Sequence, residues 1–401
     1  MFLIVGCSVN NSANNNEIKK TPGVENSQNN NSTQVPDLEN SSNNKAQTPD
    51  LESSSNYDKE LQTNDTLFPV KNLNDKWGYI DKRGNLKIDY IYESADFFSD
   101  GKASVCKDGK YGYIFSDGKY FIEPQYDLCC SFSDGAGRVV VNDGMNSFKH
   151  GFVNENGEVF LNEIYNNNTG DFHEGLAYFE KDGKFGYVDK KGNIVIKPQF
   201  QFAFDFSEGL AMVINDEYKC GFINKEGKVV IDFKYDPLDI NFVEKGGFRE
   251  GLARVRENNE YKFINSNGET VIDALFERAL DFSEDLAPVR KDGKWGYINK
   301  RGEMIITPQF AYCTEFNNGY AFAKSYDNNT DESMGYGVIN KRGEFTSSKN
   351  IIYDIPGGGW TFNMGWTSVF KEGIARAVVL DNNTTKYVYI DISGKIVWEM
   401  K

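Results

Sequence analysis

Apolar and polar residues in this chain alternate in short runs of four to seven positions, without a sustained helical period. The runs recur. At intervals of about 35 residues an aromatic-Gly-aromatic-aliphatic block returns, as Trp77-Gly78-Tyr79-Ile80, Tyr111-Gly112-Tyr113-Ile114, Phe185-Gly186-Tyr187-Val188, Trp295-Gly296-Tyr297-Ile298 and Tyr336-Gly337-Val338-Ile339. Looser copies begin at His150, Cys220, Tyr261 and Tyr387, which brings the number of units to nine. Within one well-preserved unit, Leu286 to Arg290 is small and apolar and ends at Asp292-Gly293, a dipeptide suited to a type I′ hairpin because both central residues need positive φ. Lys294 to Asn299 alternates between two faces, Arg301-Gly302 turns the chain, and Met304 to Thr307 runs on to Pro308, which cannot donate to a ladder. The pattern predicts three antiparallel strands per unit.

A second block lies between units: Phe98-Ser99-Asp100-Gly101, Phe132-Ser133-Asp134-Gly135 and Phe206-Ser207-Glu208-Gly209, with variants beginning at Phe172, Phe248, Phe282, Phe316 and Phe370. An apolar anchor followed by turn formers predicts a tight reversal whose Phe enters the core. The two ends fit one another. Leu67 to Lys71 matches the first run of a unit, and Lys386 to Asp391 with Lys395 to Trp398 supply the second and third runs of the last. The fold class is therefore all-β, with about nine tandem three-stranded β-meanders of about 35 residues. Gly- and Ala-rich first runs, such as Gly209-Leu210-Ala211, suit crowded inner strands and favour a propeller-like toroid, whose closure removes exposed edges. An open superhelical β-solenoid is the alternative.

The blocks resemble the WG-repeat (KWG) family of bacterial proteins over residues of about 66 to 401. The match is close around Trp77, Phe185 and Trp295 and eroded around Lys262 and Val388, where the Gly is missing. The resemblance implies scaffold positions and brings no catalytic motif.

Residues 1–7 resemble the end of a bacterial lipoprotein signal peptide: Ile4-Val5-Gly6-Cys7 has the form of a lipobox, with Cys7 as the lipidated residue. The apolar run is short and no basic segment precedes it, which departs from an ordinary signal peptide. Residues 8–65 are rich in Asn and Ser and poor in aromatics, and they duplicate Pro36-Asp37-Leu38-Glu39 as Pro49-Asp50-Leu51-Glu52. Such a segment buries too little to fold and is expected to be a disordered tether between a membrane anchor and the repeat domain at 66–401.

A net charge of −15 argues against nucleic acid, which calls for clustered Lys and Arg. Lysines in the Asn-Lys-Arg-Gly turns are expected as solvated strand ends. Five cysteines besides Cys7, with no CxxC, make neither a disulfide framework nor a zinc site; Cys106 and Cys220 are expected as buried apolar residues. The two histidines, His150 and His173, occupy repeat slots. Recurrence of the acids Asp100, Asp134, Glu174, Glu208, Glu250, Glu284 and Glu372 at one turn position marks them as structural, since a catalytic carboxylate pair is asymmetric. Asp327 to Glu332 imitates the opening of a calcium loop but lacks its Gly and its final Glu, and is expected to be an extended polar turn. No catalytic residue, metal site or cofactor is expected.

The largest departure from the repeat is the last insertion, where Trp360, Phe362 and Trp366 follow three glycines. Insertions in repeat proteins map to loops and often to a binding face, so these aromatics are the candidate binding loop; capping of the last unit is the alternative. The expected function is a lipid-anchored, non-catalytic interaction scaffold of the bacterial cell envelope, with an unidentified envelope protein or glycan as partner. Competing readings are an envelope enzyme acting on glycan and a surface-coat protein without a specific ligand.

Overall fold

In a computed structural model, residues 66–142, 148–161, 168–238, 246–325, 336–347, 351–352, 370–381 and 384–400 are described. Every regular element among them is a β-strand. Accordingly, no helix among the described residues is long and apolar enough to cross a membrane. The strands form eight antiparallel sheets, and the seven-stranded sheet combines two units, which accounts for the nine units of the sequence.

The seventh unit shows why the sequence folds this way. Leu286–Lys291 pairs with Lys294–Asn299 across the Asp292-Gly293 turn, whose φ values of 52° and 76° are those of the expected two-residue hairpin. Lys294–Asn299 then pairs with Met304–Cys313, with register shifts on both sides of Tyr297. The irregularity brings the third strand over Gly296, where an added Cβ would sit 2.4 Å from Ile306 O and 2.8 Å from Pro308 N. The Gly of the repeated block is thus required by a close backbone approach.

The three expected strands are present in each unit, and two sheets have only these. Most other sheets add a further strand on the side of the first long strand, usually of only two residues, such as Ser94–Ala95, Phe202–Ala203 or Arg278–Ala279. Two residues carry no alternating pattern, so only tertiary pairing defines them. In the seven-stranded sheet, Met304–Cys313 serves as the third strand of the seventh unit and the short strand of the eighth.

Successive sheets pack face to face and share apolar clusters. Ile196 and Phe200 of the fourth unit pack with Ala211 and Ile223 of the fifth; Tyr297 and Ile306 of the seventh pack with Ala321 and Ile339 of the eighth. The series returns to its start. Phe68, Val70 and Ile80 of the first sheet share a cluster with Ile374 and Tyr389 of the last. Tyr389 OH donates to Pro69 O at 2.8 Å, and Lys371 Nζ donates to Phe98 O at 2.9 Å. These contacts join the ninth unit to the first two. Burial grades across each sheet. Ala177, Ala211 and Ala253 on the first long strands are fully buried, whereas Ile194, Val195 and Ile305 on the third strands are nearly half exposed.

Candidate functional site

The junctions between units hold the chain's chemistry-bearing side chains. Glu284 (φ 54°) and Asp285 (φ 70°) form a tight turn, and comparable positive φ recurs at Asp134, Glu174, Glu208 and Glu250. A Glu in this region is strained by about 1–2 kcal/mol. Its carboxylate offsets that strain by bonding the next unit: Gly319 N–H donates to Glu284 Oε2 at 2.9 Å, Gly251 N–H to Glu208 Oε2 at 2.9 Å, and Gly209 N–H to Glu174 Oε2 at 3.0 Å. The turn lysines, expected to be solvated, instead pair with these acids. Lys341 lies 3.0 Å from Glu284, Lys225 3.1 Å from Glu174 and Lys300 3.0 Å from Glu250. Partial burial raises the Glu284 carboxyl, but Lys341 and the Gly319 N–H outweigh it and hold the group below its usual range. These acids bond across the boundary between units rather than within a single turn. The turn hydroxyls do the same: Ser207 Oγ donates to Phe248 O and Ser283 Oγ to Phe316 O, each at 2.6 Å.

An arrangement the repeat did not reveal lies beneath these turns. Arg138, Arg254 and Arg376 occupy one register position in the third, sixth and ninth units, opposite Phe152, Phe263 and Tyr389. Two of the three meet an acid from the following unit, placed one residue before the Phe of the turn. Arg138 Nε lies 3.5 Å from Asp171 Oδ1, and Arg254 Nε lies 2.9 Å from Asp281 Oδ1. Arg254 also donates from Nη1 to Ala279 O at 2.8 Å. A second acid follows one unit later in each case. Asp205 Oδ2 lies 3.3 Å from His173 Nε2, while Glu315 Oε1 accepts from Asp281 N–H at 3.2 Å.

The second of these clusters is the more deeply buried, with Arg254 at 3% exposure and Asp281 at 8%. Burial pushes the Asp281 carboxyl up, against the pull of Arg254 and Arg249. Burial, and then the Asp281 carboxylate beside it, push Glu315 up to about 7. In the second unit, burial likewise raises Asp96 to about 6. A carboxyl poised near neutrality beside an ionised neighbour can exchange a proton. Aligning the units position by position would have exposed these residues, because Arg recurs every third unit and an acid precedes the turn Phe at Asp171, Asp205, Asp281 and Glu315.

His150 fills an aromatic slot, as expected, and burial followed by the charge of Arg138 pushes its pKa down to about 4. Cys106, Cys129, Cys220 and Cys313 are buried thiols with no disulfide; burial raises those of Cys220 and Cys313 to about 12. Cys7, the Asp327–Glu332 loop and the candidate binding loop with Trp360, Phe362 and Trp366 lie outside the described residues. No group of three or more His, Cys, Asp or Glu among the described residues is arranged to hold a metal ion.

The family model for the WG containing repeat matches residues 77–111, 111–144, 151–185, 185–218, 221–261, 263–295 and 295–328. These seven matches extend over more than half of the chain, which belongs to the WG repeat family. Comparison with curated proteins gave no match. Among solved structures, a eukaryotic initiation factor aligns with TM-score 0.54 at 10% identity, over 84% of this chain and 96% of that one. This is a likeness of fold alone. BamB from Moraxella catarrhalis (TM-score 0.39, 11% identity, 84% of this chain and 94% of that one) and the WD40 β-propeller domain of Doa1 (TM-score 0.31, 11% identity, 66% and 94%) align more loosely.

Proposed function

We propose that this protein is a non-catalytic binding scaffold of the bacterial cell envelope, anchored through lipidated Cys7 and held off the membrane by residues 8–65. The observation that carries this reading is the commitment of the recurring carboxylates to neighbouring units: Glu174, Glu208 and Glu284 each hold a backbone N–H of the next turn. Side chains spent on joining units serve a rigid ring. The departures from the repeat are then where recognition belongs. The insertion between Ile351–Ile352 and Phe370 carries Trp360, Phe362 and Trp366, where the sequence of other units has only a short link. The partner is a protein or glycan of the envelope, bound by these aromatics, and no cofactor takes part.

Two substitutions test the two halves of the reading. Cys7→Ala in the full-length protein should move it from the membrane to the soluble fraction and abolish labelling by a fatty-acid analogue. Equal labelling of both forms, or of neither, would remove the anchor. Trp360→Ala/Trp366→Ala should leave the melting temperature within about 2–4 °C while weakening capture of envelope glycan or protein. A markedly lower melting temperature would show instead that these tryptophans cap the last unit. Hydrolysis of glycan lost on Glu208→Ala, with the fold intact, would establish the enzyme reading in its place.

A further inference from the structure

Two carboxyl groups, one from the seventh unit and one from the eighth, lie near one buried cation from the sixth. Asp281 and Arg254 are in contact at 2.9 Å, and Glu315 reaches back across the junction to accept the Asp281 N–H at 3.2 Å. Two other groups face the pair: Arg249, whose side chain is exposed, and the Tyr297 phenol, which donates to Thr314 O at 2.9 Å. Cys313, two residues before Glu315, is a fully buried neutral thiol. With both acids ionised, two negative charges lie near the one buried cation of Arg254, with only the exposed Arg249 as a further cation.

We propose that the Glu315 carboxyl holds a proton beside the Asp281–Arg254 pair, and that its release loosens the contact between the seventh and eighth units. The proton leaves from the Glu315 carboxyl to solvent and no other bond is made or broken. The second negative charge then drives Glu315 outward towards water. Its neighbours carry the junction's bonds, Ser283 Oγ to Phe316 O at 2.6 Å and Gly319 N–H to Glu284 at 2.9 Å, while Phe322 N–H donates to Thr314 Oγ1 at 3.0 Å within the eighth unit. The sign follows from the raised Glu315 group. In the folded ring it stays protonated up to about pH 7, whereas in the unfolded chain it ionises near 4.5. Its contribution to stability is complete below the lower value and lost as pH rises through the higher one. The inference is independent of what the scaffold binds.

Hydrogen exchange of the full-length chain, corrected for the intrinsic pH dependence of exchange, tests it directly. Peptides covering residues 280–286 and 314–322 should lose protection on the order of tenfold between pH 6 and pH 8, through a single midpoint near 7. The corresponding junction at Ser207 and Phe248 should not change. In Glu315→Gln, which keeps the shape of the protonated form, protection should be high and flat across the range. His150 titrates in the opposite sense below its unfolded value, so comparison with Glu315→Gln isolates the effect of Glu315. A flat wild-type profile from pH 6 to pH 8 overturns the proposal without any variant. So does a midpoint that persists in Glu315→Gln.

Discussion

Arg254→Ala is expected to destabilise the ring by about 3–5 kcal/mol, read as a lowered urea midpoint at pH 7.5, because it leaves buried carboxyls without their cation. The side chain is almost fully enclosed, contacts Asp281 and bonds Ala279 O, so no solvent can take over its role. Arg254→Met with Asp281→Asn and Glu315→Gln should recover most of the loss, since replacing a whole buried ionic group by neutral residues is often close to neutral. The single substitution should also shift maximum stability to lower pH, where both acids can be protonated. If Arg254→Ala unfolds within about 0.5 kcal/mol of wild type, the cluster is not sealed from water and the charge argument fails.

Trp295→Ala should cost a similar amount, about 3–5 kcal/mol, for an unrelated reason. Trp295 is buried opposite Phe310, makes an edge contact with Tyr312 at 6.2 Å between ring centres, and belongs to the cluster joining the seventh and eighth units. Its loss opens a cavity at a junction that a rigid neighbouring sheet cannot fill. Glu284→Ala is the informative comparison. As a plain turn residue it would cost little, but its carboxylate holds the Gly319 N–H and Lys341 while an Ala keeps the strained φ. A loss of about 1–2 kcal/mol is expected in thermal melts. A neutral result would return Glu284 to an ordinary surface turn.

The features legible in the sequence are those decided within one unit. Asp292-Gly293 specifies its hairpin because few other residues accept positive φ in succession, and the Trp-Gly-Tyr-Ile block alternates because strand side chains point to opposite faces. Phe282 and its counterparts could be placed in the core because an aromatic beside turn formers has nowhere else to bury. The family resemblance rested on the same local signals, and the seven matched repeats agree with it.

Contacts between units were not legible. Glu284 meets Gly319 across 35 residues and Arg254 meets Asp281 across 27, while Tyr389 meets Pro69 across 320; these pairings depend on how one sheet is rotated against the next. Alternation and turn chemistry act over a few residues and carry no information about that rotation. The short fourth strands are hidden for the same reason, since two residues such as Arg278–Ala279 become a strand only by lying beside Val289 and Arg290. Sequence alone determined the unit, its turns and its ninefold repetition, because these follow from local backbone sterics and side-chain periodicity. Only the tertiary structure decided that the ninth unit meets the first and where the buried charges meet, because burial and electrostatic partnership arise when separate units are packed together.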